Sequence, residues 1–314
     1  MTSLVTGLGP RVPQNWYLLG SASLAPGAVA SHTIGDRELV VYRSDDGGRL
    51  VAMAGHCAHM GCHLGKATVR GERLRCPLHF RQIDADGRFA RNPDGAMRQA
   101  IYPLREFMGG VFVFLGDPGT APDLTELALE GSASCYAGEY RFALPWQWLV
   151  ANGLDIEHLS SVHDRRLLEP ATLTRENDRM LCVRYLTSPT AKKLSDRVMT
   201  WVAPEGIHGC IRSLSGSMLL IETRIGSREP FILMSFVPQG DGGTLVRGIV
   251  GIKGRPRLMN KLSVRVARAL FKAFLYKDLG VLEKMQWHEP SQIDGPGDTF
   301  TRQSCAFFRE LPGA

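Results

Sequence analysis

Cys57-Ala-His59 and Cys76-Pro-Leu-His79 place two thiols and two imidazoles within 23 residues, as C-x-H and C-x-x-H separated by residues 60 to 75. Two short loops that each donate one thiolate and one imidazole can enclose a two-iron, two-sulfide cluster, one iron taking both cysteines and the other both histidines. Neutral imidazoles in place of two thiolates make such a cluster less negative, which raises its potential and suits it to passing single electrons. Zinc is the other metal that two Cys and two His can hold. Zinc ribbons and fingers, however, pair like with like at each knuckle, as C-x-x-C or H-x-x-x-H. Structural cysteines with unrelated histidines are a third reading, and the register of all four residues argues against it.

A second constellation, Asn152-x-x-Asp155-x-x-His158-x-x-x-x-His163, lies in "WQWLVANGLDIEHLSSVH" (146 to 163), whose apolar residues recur at helical spacing. Asp155 and His158 share a helix face, whereas His158 and His163 differ by about 140° on a continuous helix. The two histidines reach one metal only if the helix unwinds near Ser160-Ser161, where two poor helix formers lie. Two histidines and one carboxylate, with open positions for dioxygen, make the facial triad of non-haem iron. Asp164, Asp278 and Glu283 are candidates for the third ligand. Asp164 directly follows His163, a cramped geometry, and reads as solvated. Asp278 sits among Leu279, Val281 and Leu282, which would draw it inward; otherwise it is a surface residue beside Lys277.

The elements around these residues fall into two groups. Residues 38 to 55 read as two strands about Asp-Asp-Gly-Gly, residues 81 to 90 repeat the theme at Asp86-Gly87, and "GGVFVFLG" (109 to 116) is another strand. The Pro/Gly-rich stretch 117 to 124 reads as a linker. Beyond it come "YRFALP", the helical segment, and a series of β-rich runs, "RMLCVRYLT", "RVMTWVAP", "SMLLIETRIG", "PFILMSFVP" and "TLVRGIVGIKG", which suggest an antiparallel sheet. Residues 257 to 287 read as one long helix or two. The domains are accordingly 1–120, with a core of about 15–117, and 121–314, a length sufficient for two cores.

Composition removes several function classes. Of 314 residues 44% are hydrophobic and 22% charged, as in an ordinary globular protein. No apolar run reaches the roughly 18 residues of a membrane span, and no signal peptide is evident, which points to the cytoplasm. Seven irregularly spaced cysteines argue for a reduced compartment and against a disulfide framework. A net charge of +6 with no basic, aromatic-interleaved tract makes nucleic acid a poor partner.

The first motif resembles that of the Rieske iron-sulfur proteins, with Gly61, Leu64 and Pro77 matching the family's loops. The resemblance implies Cys57 and Cys76 on one iron and His59 and His79 on the other. The chain departs from the respiratory type at Leu78, where a second loop cysteine would pair with Cys62, so Cys62 is expected to be a small buried thiol. Phe80 stands where a glycine is usual. His56 and His63 are surplus to the ligand set and read as solvated loop residues.

Taken together, the two motifs, "NWYLLG" (15 to 20) and D-x-x-x-x-E (278 to 283) resemble the Rieske non-haem iron oxygenases over nearly the whole chain. The resemblance implies an α+β chain: an N-terminal all-β [2Fe-2S] domain followed by a START-like helix-grip domain with a curved antiparallel sheet. It implies mononuclear Fe(II) on His158, His163 and Asp278, with Asn152 and Asp155 catalytic. It also implies a head-to-tail homotrimer in which Asp155 bridges a cluster histidine, His79, to His158 of the next subunit. A carboxylate can accept a ring N–H on either side, as supporting partners of metal ligands do. No dinucleotide-binding fingerprint is present, so electrons from NAD(P)H are expected through a separate reductase or ferredoxin. Residues 253 to 277 hold eight Lys/Arg and no acid. Lys261, Arg265, Arg268 and Lys272 form a stripe that is a solvated face, a docking surface for an acidic redox partner, or a contact with membrane lipid along 257–277. The expected substrate, with O2, is apolar and polycyclic or methyl-bearing, hydroxylated, demethylated or desaturated. Trp146, Met218, Leu220 and Phe236 are either pocket lining or plain core. The rival reading is an electron carrier whose second domain only binds a lipid-like ligand.

Overall fold

Turn chemistry and strand alternation build the first half. The computed structural model describes residues 11–91, 95–129, 131–190, 200–201, 203–254, 260–283, 285, 295 and 298–314. The Asp-Asp-Gly-Gly turn joins strands Arg37–Arg43 and Leu50–Ala54, which lie between Val29–Ile34 and Ile101–Tyr102 in a four-stranded sheet. A three-stranded sheet of Asn15–Ser21, Gly110–Leu115 and Leu104–Phe107 packs beside it. Three short strands, Thr68–Arg70, Arg73–Arg75 and Gln82–Ile83, form a separate ladder carrying the two Cys/His loops at one end.

The second half is one eight-stranded antiparallel sheet. Its path runs Ala133–Phe142, Thr244–Ile252, Pro230–Pro238, Met218–Arg224, Ile207–Leu214, Met180–Pro189 and Arg165–Leu167, with Thr172–Asn177 also paired to Met180–Pro189. Helices α1 (Trp146–Leu154), α2 (His158–Ser161), α3 (Asn260–Leu282) and α4 (Thr299–Glu310) accompany the sheet. Period-two alternation gives the sheet two apolar faces. Leu181, Val183, Ile211, Leu219, Met234, Phe236, Val246 and Val250 pack with α1, α3 and α4. Leu214, Met218, Leu220, Phe231, Leu233 and Ile249 face the other way, onto Trp16, Leu18, Phe112 and Phe114 of the first half. Polar contacts reinforce that seam. Asn15 Nδ2 donates to the Leu214 carbonyl at 2.7 Å, and Arg247 Nη1 donates to the Leu18 carbonyl at 3.1 Å while its Nε donates to Glu139 at 2.9 Å.

Several sequence expectations change here. Met218 and Leu220 are not pocket lining, because their register turns them into the seam. Trp146 is core, with its ring centroid 5.3 Å from that of Phe308 and its indole N–H on the Arg11 carbonyl. Half of "RVMTWVAP" lies outside the described residues, and Thr200 and Trp201 are helical rather than extended, just ahead of Pro204, which has no N–H to give a ladder. Residues 260 to 282 form one helix, not two.

Candidate metal centres

The two Cys/His loops share one backbone pattern. Cys57 N–H donates to the Cys62 carbonyl and Gly61 N–H to the Cys57 carbonyl; Cys76 N–H donates to Arg81 and Phe80 N–H to Cys76, all at 2.8 to 3.0 Å. The fifth residue of each loop must be left-handed for this turn to close, and Gly61 (φ 70°) and Phe80 (φ 53°) both are. Phe80 therefore preserves the loop at the cost of about 1 kcal/mol for a residue with a Cβ in that region. Its exposed ring lies under the Arg75 guanidinium, 4.1 Å from the centroid, a contact that offsets part of that cost.

These turns bring the four side chains together. Cys57 and Cys76 are 3% and 2% exposed, and the His59 and His79 ring centroids are 5.1 Å apart, edge to face. Burial raises the Cys57 pKa, with the nearby Cys76 thiol adding to the effect. Partial desolvation, with Arg81 and His79 alongside, lowers that of His59 and favours the neutral imidazole that a metal requires. Two inward thiols and two adjoining imidazoles on matched loops fit a two-iron, two-sulfide cluster. Cys62 is half-buried rather than buried, its Sγ 3.8 Å from the His63 carbonyl. His56 and His63 stand outside the ligand set as half-exposed residues, each with Nε2 3.4 Å from Glu38 Oε2.

The second constellation is built by a broken helix. α1 starts after Pro145 and stops at Leu154; Asp155 caps it in an extended conformation. Gly153 permits the close approach to the sheet, since a Cβ there would lie 2.7 Å from Leu219. Asp155 and His158 thus sit on either side of a break rather than on one helix face. The one-turn α2 ends at Ser161, so His163 lies just beyond it, and Asp164 after it takes a left-handed φ of 55°. Their ring centroids are 5.2 Å apart. α3 adds Asp278, whose Oδ1 is 2.8 Å from His163 Nε2. One ligand atom from each of His158, His163 and Asp278 lies within 4.8 Å of the others. Two imidazoles and a carboxylate at that spacing fit the facial triad of non-haem iron.

Electrostatics suit the same role. Burial lowers the His158 pKa and keeps its ring neutral, while Nδ1 bonds to the Asp155 carbonyl and leaves Nε2 for a metal. Burial raises the Asp155 pKa even though its Oδ1 accepts from Glu157 N–H. The other acids are elsewhere: Asp164 lies 3.5 Å from Lys277 Nζ, and Glu283 is exposed. Asn152 is half-buried in the last turn of α1. Of the basic stripe, Arg265 and Arg268 are exposed and Lys272 is half-buried; the Lys261 side chain is outside the described residues.

The front of the chain matches a known domain family, and the whole chain resembles solved structures in fold. The Rieske [2Fe-2S] domain family matches residues 15–103. "Cholesterol 7-desaturase nvd 1" of Ciona intestinalis is 28% identical over 183 residues, which is 54% of this chain and 38% of that protein. The oxygenase component of 3-ketosteroid-9-alpha-monooxygenase from Mycolicibacterium smegmatis is 26% identical over 176 residues, 50% of this chain and 45% of that one. The alignments thus span less than half the length of these relatives. Among solved structures, apo dicamba monooxygenase superposes with a TM-score of 0.72 at 16% identity, covering 96% of this chain and 98% of the other, a likeness of fold. Pseudomonas putida CBB5 NdmA with caffeine gives 0.70 at 18% identity, covering 95% of each. Residues 15–103 thus form a Rieske [2Fe-2S] domain, set ahead of a helix-gripping sheet in a chain that shares the fold of dicamba monooxygenase.

Proposed function

We propose that the chain, divided near residue 120, oxygenates an apolar, polycyclic or steroid-like compound with electrons drawn from a separate reductase or ferredoxin. The observation that carries this reading is the meeting of His158, His163 and Asp278 within 4.8 Å, two turns of sequence and one distant helix converging on a ligand set for non-haem iron. Cys57, His59, Cys76 and His79 would hold the [2Fe-2S] cluster, and His158, His163 and Asp278 the mononuclear iron. When bound, the two centres supply single-electron delivery and dioxygen activation.

The chain's own residues do the rest. The Asp155 carbonyl fixes the tautomer and orientation of the His158 ring. Asp278 supplies the only negative charge of the trio. The Asp155 carboxylate, with Asn152 a turn before it, stands beside His158 and is suited to accept a ring N–H from a cluster histidine of a neighbouring copy, as expected of a homotrimer. Exposed Met60, Leu78 and Phe80, at 65%, 51% and 60%, give the cluster loops an apolar rim for that contact. Arg265 and Arg268 offer positive charge to an acidic electron donor or to lipid. No described helix is long and apolar enough to cross a membrane; we place the enzyme in the cytoplasm. The named sterol and ketosteroid relatives support this substrate class.

Reconstitution with a generic NADH-dependent reductase and a panel of sterols, 3-ketosteroids and aromatic methyl ethers tests the proposal. Substrate-dependent oxygen uptake with a product altered by one oxygen or one unsaturation is expected from one member. Iron content of two rather than three per chain (about two for the cluster alone) with no uptake would leave only the electron carrier.

A further inference from the structure

Strands Met180–Pro189 and Ile207–Leu214 run side by side, with Cys182 opposite Arg212 and Arg184 opposite Cys210. The two cysteines are therefore diagonal neighbours on one face. That face is the one turned away from the helices, since Leu181, Val183 and Ile211 alternate with them and pack into the helix-side core. The pair is thus separated by the sheet from His158, His163 and Asp278. Its sulfurs are 3.3 Å apart, within thiol hydrogen-bond distance.

The two thiols differ in access. Cys182 is fully buried, whereas Cys210 is half-buried and lines a cleft of about 490 Å³ whose charged wall is mixed, with Arg184, Arg224 and Lys253 beside Glu169, Glu222 and Glu229. Glu222 is occupied by Arg212 and Lys253, and Arg184 by Glu176. Around Cys210 the sulfur contact with Cys182, then Arg212 and Arg184, outweigh burial and bring its pKa down to about 7, while Cys182 is pushed up. An accessible thiol flanked by Arg184 and Arg212, with a second thiol in contact behind it, has the layout of an attacking sulfur and a resolving one. Nothing in the proposed oxygenase chemistry uses either residue.

We propose that Cys182 and Cys210 form an oxidisable dithiol that reacts with hydroperoxides, Cys210 attacking and Cys182 resolving. In the first step the Cys210 sulfur gives an electron pair to the O–O bond, which breaks. Cys210 keeps one oxygen as a sulfenic acid and the other leaves as the alcohol, or as water when the oxidant is hydrogen peroxide. In the second step the Cys182 sulfur attacks that of Cys210, forming the S–S bond, and the sulfenic oxygen leaves as water with the Cys182 proton. The two thiols lose two electrons and the peroxide gains them.

The test uses the intact holoprotein. It is titrated with hydrogen peroxide, free thiols are alkylated, and a non-reducing tryptic digest is read by mass. Cleavage after Arg179, Arg184, Arg197 and Arg212 puts the two cysteines in separate peptides, 180–184 and 198–212. The expected result is a linked pair, two hydrogens lighter than the sum and released by dithiothreitol, at peroxide levels that leave lone, half-buried Cys135 alkylated. In Cys182→Ala the link is lost and a dimedone adduct accumulates on Cys210; in Cys210→Ala neither product forms. Complete alkylation of both residues in the wild type at peroxide levels that oxidise Cys135, or dimedone labelling of Cys182 in Cys210→Ala at the wild-type rate, would overturn the proposal.

Discussion

Asp278→Asn separates a metal ligand from a mere ion-pair partner. The substitution keeps the shape of a side chain that is 13% exposed and removes the Asp278 charge from His163, itself 1% exposed. Loss of groups that only support a metal ligand already costs 10–100-fold in affinity. Taking the upper value as a floor for loss of the ligand itself gives a weakening of about 100-fold, or about 2.8 kcal/mol. At free iron tenfold above the wild-type Kd, occupancy then falls from about 91% to about 9%. The assay is total iron with the electron paramagnetic resonance of the reduced cluster and oxygen uptake on the same sample. Iron should fall from about three to about two per chain with the cluster signal intact, and uptake to about a tenth. A variant that keeps its third iron and its uptake would refute the ligand assignment and leave Asp278 as a buried partner of His163 alone.

Asp155→Asn should leave both iron sites filled and slow turnover by about 100-fold, seen as a reduced cluster that reoxidises slowly with substrate and oxygen present. His32, held down to about 4 chiefly by burial and then by Arg247, resists protonation in the folded chain. Its folded pKa is below the unfolded value, so stability is intact above pH about 6.5 and falls as pH drops towards about 4, by up to about 3 kcal/mol. His32→Gln should flatten that stretch of a denaturant-midpoint profile. Leu220→Ala, fully buried in the seam between the halves, should cost about 2–5 kcal/mol in urea unfolding while leaving relative rates across a substrate panel unchanged. Arg247→Met strands the Leu18 carbonyl and should cost about 1.5–3 kcal/mol by the same measurement.

Both Cys/His loops and the two histidines after α1 were legible because each set is local: a few residues of fixed spacing fix the chemistry. The route by which His163 reaches His158 was only half legible. Poor helix formers at Ser160-Ser161 marked where α2 stops, but the earlier break at Asp155 to Glu157 has no strong breaker in the sequence. Asp278 stood out from Asp164 and Glu283 through its apolar neighbours, which track burial. Sheet faces were not legible in the same way. Both sides of strands such as Met218–Arg224 are apolar, so alternation could not say that Met218 and Leu220 look to the first half while Leu219 looks to the helices. α4 went unread although Phe300, Ser304, Phe307, Phe308 and Leu311 recur at helical spacing and are buried or half-buried. Nor did the sequence show that Cys182 and Cys210, 28 positions apart, share a ladder; only strand register brings them together.

The seam between the halves has a practical corollary for anyone wishing to take the protein apart. Trp16, Leu18, Phe112 and Phe114 on one side and Phe231, Leu233 and Ile249 on the other form a single oily layer, stitched by Asn15 and Arg247. A protease cut in the connecting stretch 116–132 would thus sever the backbone without freeing the fragments, which should co-elute as a nicked complex. Either fragment produced alone would present that layer to water and tend to precipitate. Swapping the front half for that of a distant relative would succeed only if the donor brought a matching imprint of these seven side chains.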